Sequence, residues 1–227
     1  MNIKSHYIQQ GEGFPVILLH GNGEDGRYFK HQFDPFSAFF RVIAVDTRGH
    51  GGTPRGEAPF TVEQFAEDLK VFLDELGITR CHLVGFSDGG NIAMVFALKY
   101  PQYIQRLVIN GGNLFPAGLC QWLQDEVSEK WHRLKECDFN DWNVRREWEL
   151  QDLMMTQPNI DPDWLKELTM PVLVVAGEDD VIREDHTRMM AASIPGSRLA
   201  ILPGDHFVAR TNPEAFNNTV LAFLLEC

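Results

Sequence analysis

The chain has 227 residues, with 20 Lys+Arg against 32 Asp+Glu and a formal net charge of -12. An acid excess of that size argues against nonspecific binding to nucleic acid or anionic membrane, since both need a basic surface. A composition of 44% hydrophobic and 11% aromatic residues is globular, and the longest apolar run, Ile92–Leu98, falls far short of the roughly 20 residues of a membrane span.

Met1–His6 carries no apolar stretch, so no secretory leader is expected. Ile3–Gln9 is expected to form a short antiparallel strand leading through the Gly11–Gly13 turn. Six apolar runs follow: Pro15–His20, Arg41–Asp46, Cys81–Ser87, Arg106–Gly112, Pro171–Gly177 and Ser197–Pro203. They are rich in Val, Ile and Leu and continuous rather than alternating, which predicts strands buried on both faces, as in a parallel sheet. Helical patterns are predicted over Thr61–Leu76, Asp88–Lys99, Glu184–Ile194 and Pro213–Leu225. The first opens on a capping-box pattern, Thr61-x-x-Gln64, and closes on Gly77. Strands alternating with helices define an α/β fold with a mostly parallel sheet and flanking helices.

The stretch from Leu114 to Thr169 breaks this rhythm. It has no strand pattern, predicts several amphipathic helices, and carries 12 acids and 6 bases. All five tryptophans (Trp122, Trp131, Trp142, Trp148, Trp164) lie in it, either lining the roof of a pocket or packing the helices together. The expected organisation is a core of residues 1–113 and 171–227 with a small helical insertion at 114–170. Cys81, Cys120, Cys137 and Cys227 are scattered, with no zinc spacing, and predict buried or idle reduced thiols in a cytoplasmic protein. His6, His31, His82, His132 and His186 have no ligand spacing, and neither a metal nor an organic cofactor is implied.

Two motifs compete for the chemistry. Gly21-Asn22-Gly23-Glu24-Asp25-Gly26 follows the first predicted parallel strand, with Asp46 ending the next, which fits a dinucleotide-binding oxidoreductase. That pattern leaves the loop Thr47-Arg48-Gly49-His50-Gly51 unexplained, and the chain lacks a Tyr-x-x-x-Lys pair. The rival is Gly85-Phe86-Ser87-Asp88-Gly89, set between a predicted strand and a predicted helix, where small flanking residues allow a sharp turn that lifts a serine hydroxyl clear of the sheet. Its alternative is a serine that merely caps a helix. Downstream, Gly177-Glu178-Asp179-Asp180 and Gly204-Asp205-His206 close two further strands, at the edge where open α/β sheets carry ligand-facing groups. A serine becomes a nucleophile when a neutral imidazole takes its proton and a carboxylate orients that imidazole.

The segments His20-Gly21-Asn22-Gly23, Asp46-x-Arg48-Gly49-His50-Gly51, Gly85-Phe86-Ser87-Asp88-Gly89-Gly90, Gly177-x-x-Asp180 and Gly204-x-His206 together resemble the α/β-hydrolase fold superfamily over essentially the whole chain. The nucleophile region, through Ala97-Leu98-Lys99-Tyr100-Pro101 and Arg106–Gly111, looks most like the biphenyl-hydrolase-like (valacyclovir-hydrolase-like) serine hydrolases. The resemblance implies an acyl-enzyme hydrolase of a small ester or amide. Its catalytic residues would be Ser87, Asp180 and His206, with the backbone N–H groups of Asn22 and Asp88 as an oxyanion hole. The family spacing selects Asp180 over Asp179 as the acid. It also associates the acid after the nucleophile, Asp88, with the ammonium of an α-amino acid ester, although a carboxylate in the first turn of a helix is favoured by the helix dipole in any case. The chain departs from the family at its start, where little precedes the first parallel strand. A C–C bond or lactone hydrolase on the same fold, a noncatalytic ligand receptor and the nucleotide-binding oxidoreductase are the remaining alternatives. The expected partner is a small-molecule substrate, with no nucleic acid and no membrane; nothing in the sequence sets an oligomeric state.

Overall fold

A computed structural model describes residues 3–226; Met1, Asn2 and Cys227 lie outside them. One sheet of seven strands organises the chain: β1 (Tyr7–Gln10), β2 (Pro15–Leu19), β3 (Arg41–Val45), β4 (Cys81–Phe86), β5 (Ile104–Asn110), β6 (Val172–Asp179) and β7 (Arg198–Asp205). The order is β1-β3-β2-β4-β5-β6-β7, and every pair is parallel except β1 with β3.

Of the predicted N-terminal strand Ile3–Gln9 only Tyr7–Gln9 is strand, within β1; it is antiparallel but does not form a hairpin with its neighbour in sequence. The Gly11–Gly13 turn leads across the sheet edge, so Tyr7 pairs with Val45 on β3. Gly11 takes φ 78°, and a Cβ there would meet the Phe40 carbonyl at 2.4 Å, so only glycine allows the chain to cross so close to the end of β3.

The continuous apolar runs are explained by covering on both faces. Successive residues of a strand point to opposite sides. Ile17, Leu19, Ile43, Val45, Leu83 and Ile109 therefore face one cluster with helices α2 (Val62–Glu75), α3 (Asp88–Lys99) and α6 (Glu184–Ser193). Val16, Leu18, Val42, Ala44, Val84 and Val108 face the other, with α1 (Phe33–Ser37), the single turn α7 (Val208–Thr211) and α8 (Pro213–Leu224).

Helix ends follow local chemistry. The Thr61 hydroxyl caps α2 by accepting the Gln64 N–H at 3.1 Å. The reciprocal bond of the predicted capping box, from the Thr61 N–H to the Gln64 side chain, is absent; Gln64 instead donates forward to Asp68. At the other end Gly77 takes φ 66°, with Gly77 N–H on the Asp74 carbonyl and Ile78 N–H on Leu73, the paired bonds of a Schellman stop.

Between β5 and β6, residues 114–170 form no strand. They hold α4 (Gln121–Lys135), α5 (Trp142–Thr156) and a 3-10 turn, Pro162–Glu167. Of the tryptophans only two bear out the packing expectation: Trp131 donates to Asp152 at 2.8 Å and ties α4 to α5, while Trp148 packs on Phe139. Trp122, Trp142 and Trp164 are more than half exposed. Cys81 is buried, Cys120 half-buried and Cys137 exposed, and all three are free thiols. No helix among the described residues is long and apolar enough to cross a membrane.

Candidate active site

Parallel strands deliver their C-terminal ends to one edge, and the predicted residues converge there from β2, β4, β6 and β7. Ser87 stands between β4 and α3 with φ 53° and ψ -121°, and among the described residues no other non-glycine residue has positive φ. Such a conformation is costly in isolation and persists because its surroundings over-determine it. Here the Ser87 N–H is held by the Asn110 carbonyl and its own carbonyl receives Gly90 and Asn91. The glycines on either side are required by close approach. A Cβ on Gly85 would lie 2.1 Å from the Gly89 carbonyl oxygen, and one on Gly89 would lie 2.1 Å from that of Leu19. Backbone atoms on both sides cannot yield, so Gly89→Ala should cost about 3 kcal/mol or more. In a chain of this size that lowers the melting temperature by roughly 6–12 °C, measurable by calorimetry.

His206, just beyond β7, is buried and places Nε2 3.0 Å from Ser87 Oγ and Nδ1 2.6 Å from Asp180 Oδ1. The Asp180 side chain is 3% exposed. Its Oδ1 also accepts the Ile182 N–H at 3.0 Å and its Oδ2 the Gly177 N–H at 3.3 Å, so the carboxylate is oriented before the imidazole meets it. Asp179, one residue earlier, is exposed at the end of β6. Gly111, after β5, takes φ 60°, and a Cβ on it would lie 2.8 Å from the His206 ring; this glycine makes room for the imidazole.

Asn22 follows β2 on a loop pressed against Ser87: a Cβ on Gly21 would come within 3.0 Å of Ser87 Cβ. Among the described residues neither the Asn22 nor the Asp88 backbone N–H has an acceptor; Asp88 opens α3, where a first-turn N–H has no intrahelical partner. Half-buried Glu24, its carboxyl raised by burial and drawn back by Arg210, lies on the same loop.

The Asp88 side chain turns inward. Oδ1 accepts from Asn91 Nδ2 at 3.2 Å, Asn91 in turn binds Asn113, and Oδ2 is buried with no partner. Burial lifts the carboxyl from 3.8 to about 6, against the opposing pull of Asn91 and His206. A raised acid is penalised where it ionises, so the cost is absent below the unfolded value and complete above about 6, where the gap corresponds to roughly 3 kcal/mol. Asp88→Asn should therefore stabilise the protein at pH 7–8 by on the order of 1–3 kcal/mol. That gain should shrink through pH 6 and vanish below about pH 4, which urea unfolding at each pH would measure.

The competing dinucleotide reading loses its acid. Asp46 Oδ1 accepts the Gly26 N–H, and Oδ2 accepts the Gly52 N–H and faces His6 Nδ1 at 2.7 Å. Both oxygens are committed to fixing loops, leaving none for a ribose. Among the described residues no group of three or more His, Cys, Asp or Glu side chains could hold a metal ion.

Sequence patterns did not point to the contacts between α5 and this edge. Asn22 Nδ2 donates to the Leu150 carbonyl at 2.8 Å, and Arg55 forms a two-pronged pair with Glu149 at 2.8 Å, both side chains largely buried. The partners are 94 residues or more apart in sequence, and no local signal links them. A cavity of about 390 Å³ opens between α4 and α5, lined by Leu119, Val127, Met154 and Met155 among others; neither Ser87 nor His206, nor any tryptophan, lines it.

At the C-terminal edge of this α/β sheet, a strained serine at a strand-to-helix turn is bonded to an imidazole that is bonded to a buried carboxylate. The family model described as the alpha/beta hydrolase fold matches residues 15–139, and the chain belongs to the α/β-hydrolase fold family. A protein named "Putative carbamate hydrolase RutD" from Caulobacter sp. (strain K31) is 32% identical, over 92% of this chain and 90% of its own length. The serine hydrolase BPHL of Homo sapiens is 28% identical over 98% of this chain and 83% of its own length. The crystal structure of a hydrolase from Pseudomonas aeruginosa PA01 superposes with a TM-score of 0.82 at 25% identity, covering 99% of this chain and 95% of that one.

Proposed function

We propose that the protein is a serine hydrolase that cleaves a small ester or amide through an acyl-enzyme, with residues 114–170 as a cap over the site. The observation that carries this reading is the continuous hydrogen-bond chain Ser87 Oγ, His206 Nε2, His206 Nδ1, Asp180 Oδ1. Ser87 Oγ attacks the carbonyl carbon while His206 Nε2 takes its proton, and the carbonyl π pair moves onto oxygen. The Asn22 and Asp88 N–H groups face that oxyanion, a form of stabilisation worth a few kcal/mol per donor. Collapse expels the alcohol or amine, which leaves with the proton from His206, and water repeats the sequence on the acyl-enzyme. A fluorophosphonate probe tests the assignment. It should add its mass to the peptide carrying Ser87, an ester substrate should slow the labelling, and labelling at another residue would refute it.

Among such substrates, esters of α-amino acids gain support from Asp88. Its Oδ2 is a buried acceptor with no partner, and a substrate ammonium would supply both the missing donor and the compensating charge. The wild type should favour an α-amino ester over its neutral analogue by about 10-fold or more in kcat/KM, in line with charge-assisted hydrogen bonds. Asp88→Asn should erase that preference while retaining turnover of the neutral ester. An unchanged ratio would remove the ammonium from the reading.

A further inference from the structure

The two histidines beside the Asn22 loop, His20 and His50, are buried, and the chemistry above does not use either. Their hydrogen bonds fix which ring nitrogens carry protons. A backbone N–H can only donate, so a ring nitrogen facing one must be bare. The Thr47 N–H lies 3.0 Å from His20 Nε2, and the Gly23 N–H lies 3.1 Å from His50 Nε2. Both rings are therefore Nδ1–H tautomers. His20 Nδ1 then donates to the Gly21 carbonyl at 2.8 Å. His50 Nδ1 is 3.0 Å from both Thr47 Oγ1 and the Arg48 carbonyl, and the Thr47 hydroxyl is left to donate to His20 Nε2 at 3.2 Å.

Taken together these bonds run in one direction around a ring: Gly23 N–H to His50, His50 to Thr47, Thr47 to His20, His20 to the Gly21 carbonyl. Its open side is closed by the backbone of Gly21, Asn22 and Gly23, so the ring grips the residues on both sides of Asn22. The Asn22 side chain is tied separately to Leu150 on α5, and among the described residues its backbone N–H has no acceptor.

We infer that His20, Thr47 and His50 are positioning residues that hold the Asn22 N–H at the oxyanion by a closed, one-directional ring of hydrogen bonds through two neutral histidines. This rests on the proposed role of the Asn22 amide. A donor is useful only if it is fixed where the charge develops, and a loop free to rotate by a few tens of degrees loses much of that benefit. Burial favours the neutral rings: it lowers His50 to about 3 and lowers His20 as well.

The test compares His50→Phe, which keeps a flat ring but removes both nitrogens, with His50→Gln, whose Oε1 can accept the Gly23 N–H. Thr47→Val breaks the ring at its hydroxyl. Turnover of p-nitrophenyl acetate is measured per active site, titrated to completion with a fluorophosphonate. His50→Phe should lose about 10–100-fold in kcat with KM within about 3-fold, His50→Gln should recover most of that loss, and Thr47→Val should lose about 3–10-fold. A merely structural role would reduce the number of titratable sites and leave kcat per site unchanged, and that result overturns the inference. Ser87→Ala run alongside separates the two claims. If it still turns over, the serine reading falls; if it is inert while His50→Phe matches wild type per site, only the ring falls. Should His50→Phe not fold, imidazole nitrogen NMR of the wild type at pH 7 decides: an Nε2–H tautomer at His20 or His50 breaks the ring.

Discussion

Ser87→Ala should reduce kcat for a small activated ester by on the order of 10⁴–10⁶-fold while the protein stays folded. On the proposed mechanism the loss is large because the hydroxyl forms the covalent bond, and no neighbour replaces it. On the same reading, what survives is the contribution of substrate binding and of the Asn22 and Asp88 N–H groups. The side chain supports little else: its one side-chain hydrogen bond is to His206, so the melting temperature should move little. Steady-state hydrolysis of p-nitrophenyl butyrate checks this, and retention of more than about a hundredth of wild-type kcat would place the nucleophile elsewhere.

The second large effect separates two adjacent acids. Asp180→Asn should cost on the order of 10⁴ in kcat, and Asp179→Asn no more than a few-fold. With an amide at 180, one arrangement turns its NH₂ toward His206, leaving Nδ1 bare and Nε2 protonated against Ser87, so that Nε2 cannot accept the hydroxyl proton. The other arrangement turns the NH₂ toward the Gly177 N–H, setting donor against donor at a site where Asp180 Oδ2 now accepts. Either way the geometry at the buried carboxylate is lost. Asp179 is exposed, and the side-chain hydrogen bonds of His206 go to Asp180 and Ser87. Equal losses for the two variants would remove Asp180 from its role.

The α/β-hydrolase fold was legible because its signals are local. Apolar runs of Val, Ile and Leu without alternation mark strands covered on both faces, and the clusters of Ile17 with Leu83 and of Val16 with Val84 show why every position must be apolar. Gly85-x-Ser87-x-Gly89 is legible for the same reason: backbone approach at 2.1 Å excludes any side chain, so the constraint appears as residue identity within five positions. The first strand's partner was not legible, because the turn at Gly11–Gly13 allows either a hairpin or a crossing to β3. Nor were the burial of Asp88 against Asn91 and the exposure of three tryptophans, since both depend on how helices from distant parts of the chain face one another.

Sequence by itself determined the layered parallel sheet, the turn that bears Ser87 and the candidacy of Asp180 and His206, because periodicity and motif spacing act over a few residues. Only the tertiary structure decided that Ser87, His206 and Asp180 lie within hydrogen-bond reach, that Asp46 is spent on loops, and that two histidines 30 residues apart grip one glycine loop. Apart from the bond between His20 and its neighbour Gly21, those contacts join residues 20 to 119 positions apart. Such pairings leave no periodic trace, because hydrogen-bond geometry is set where chain segments meet and not where they are written.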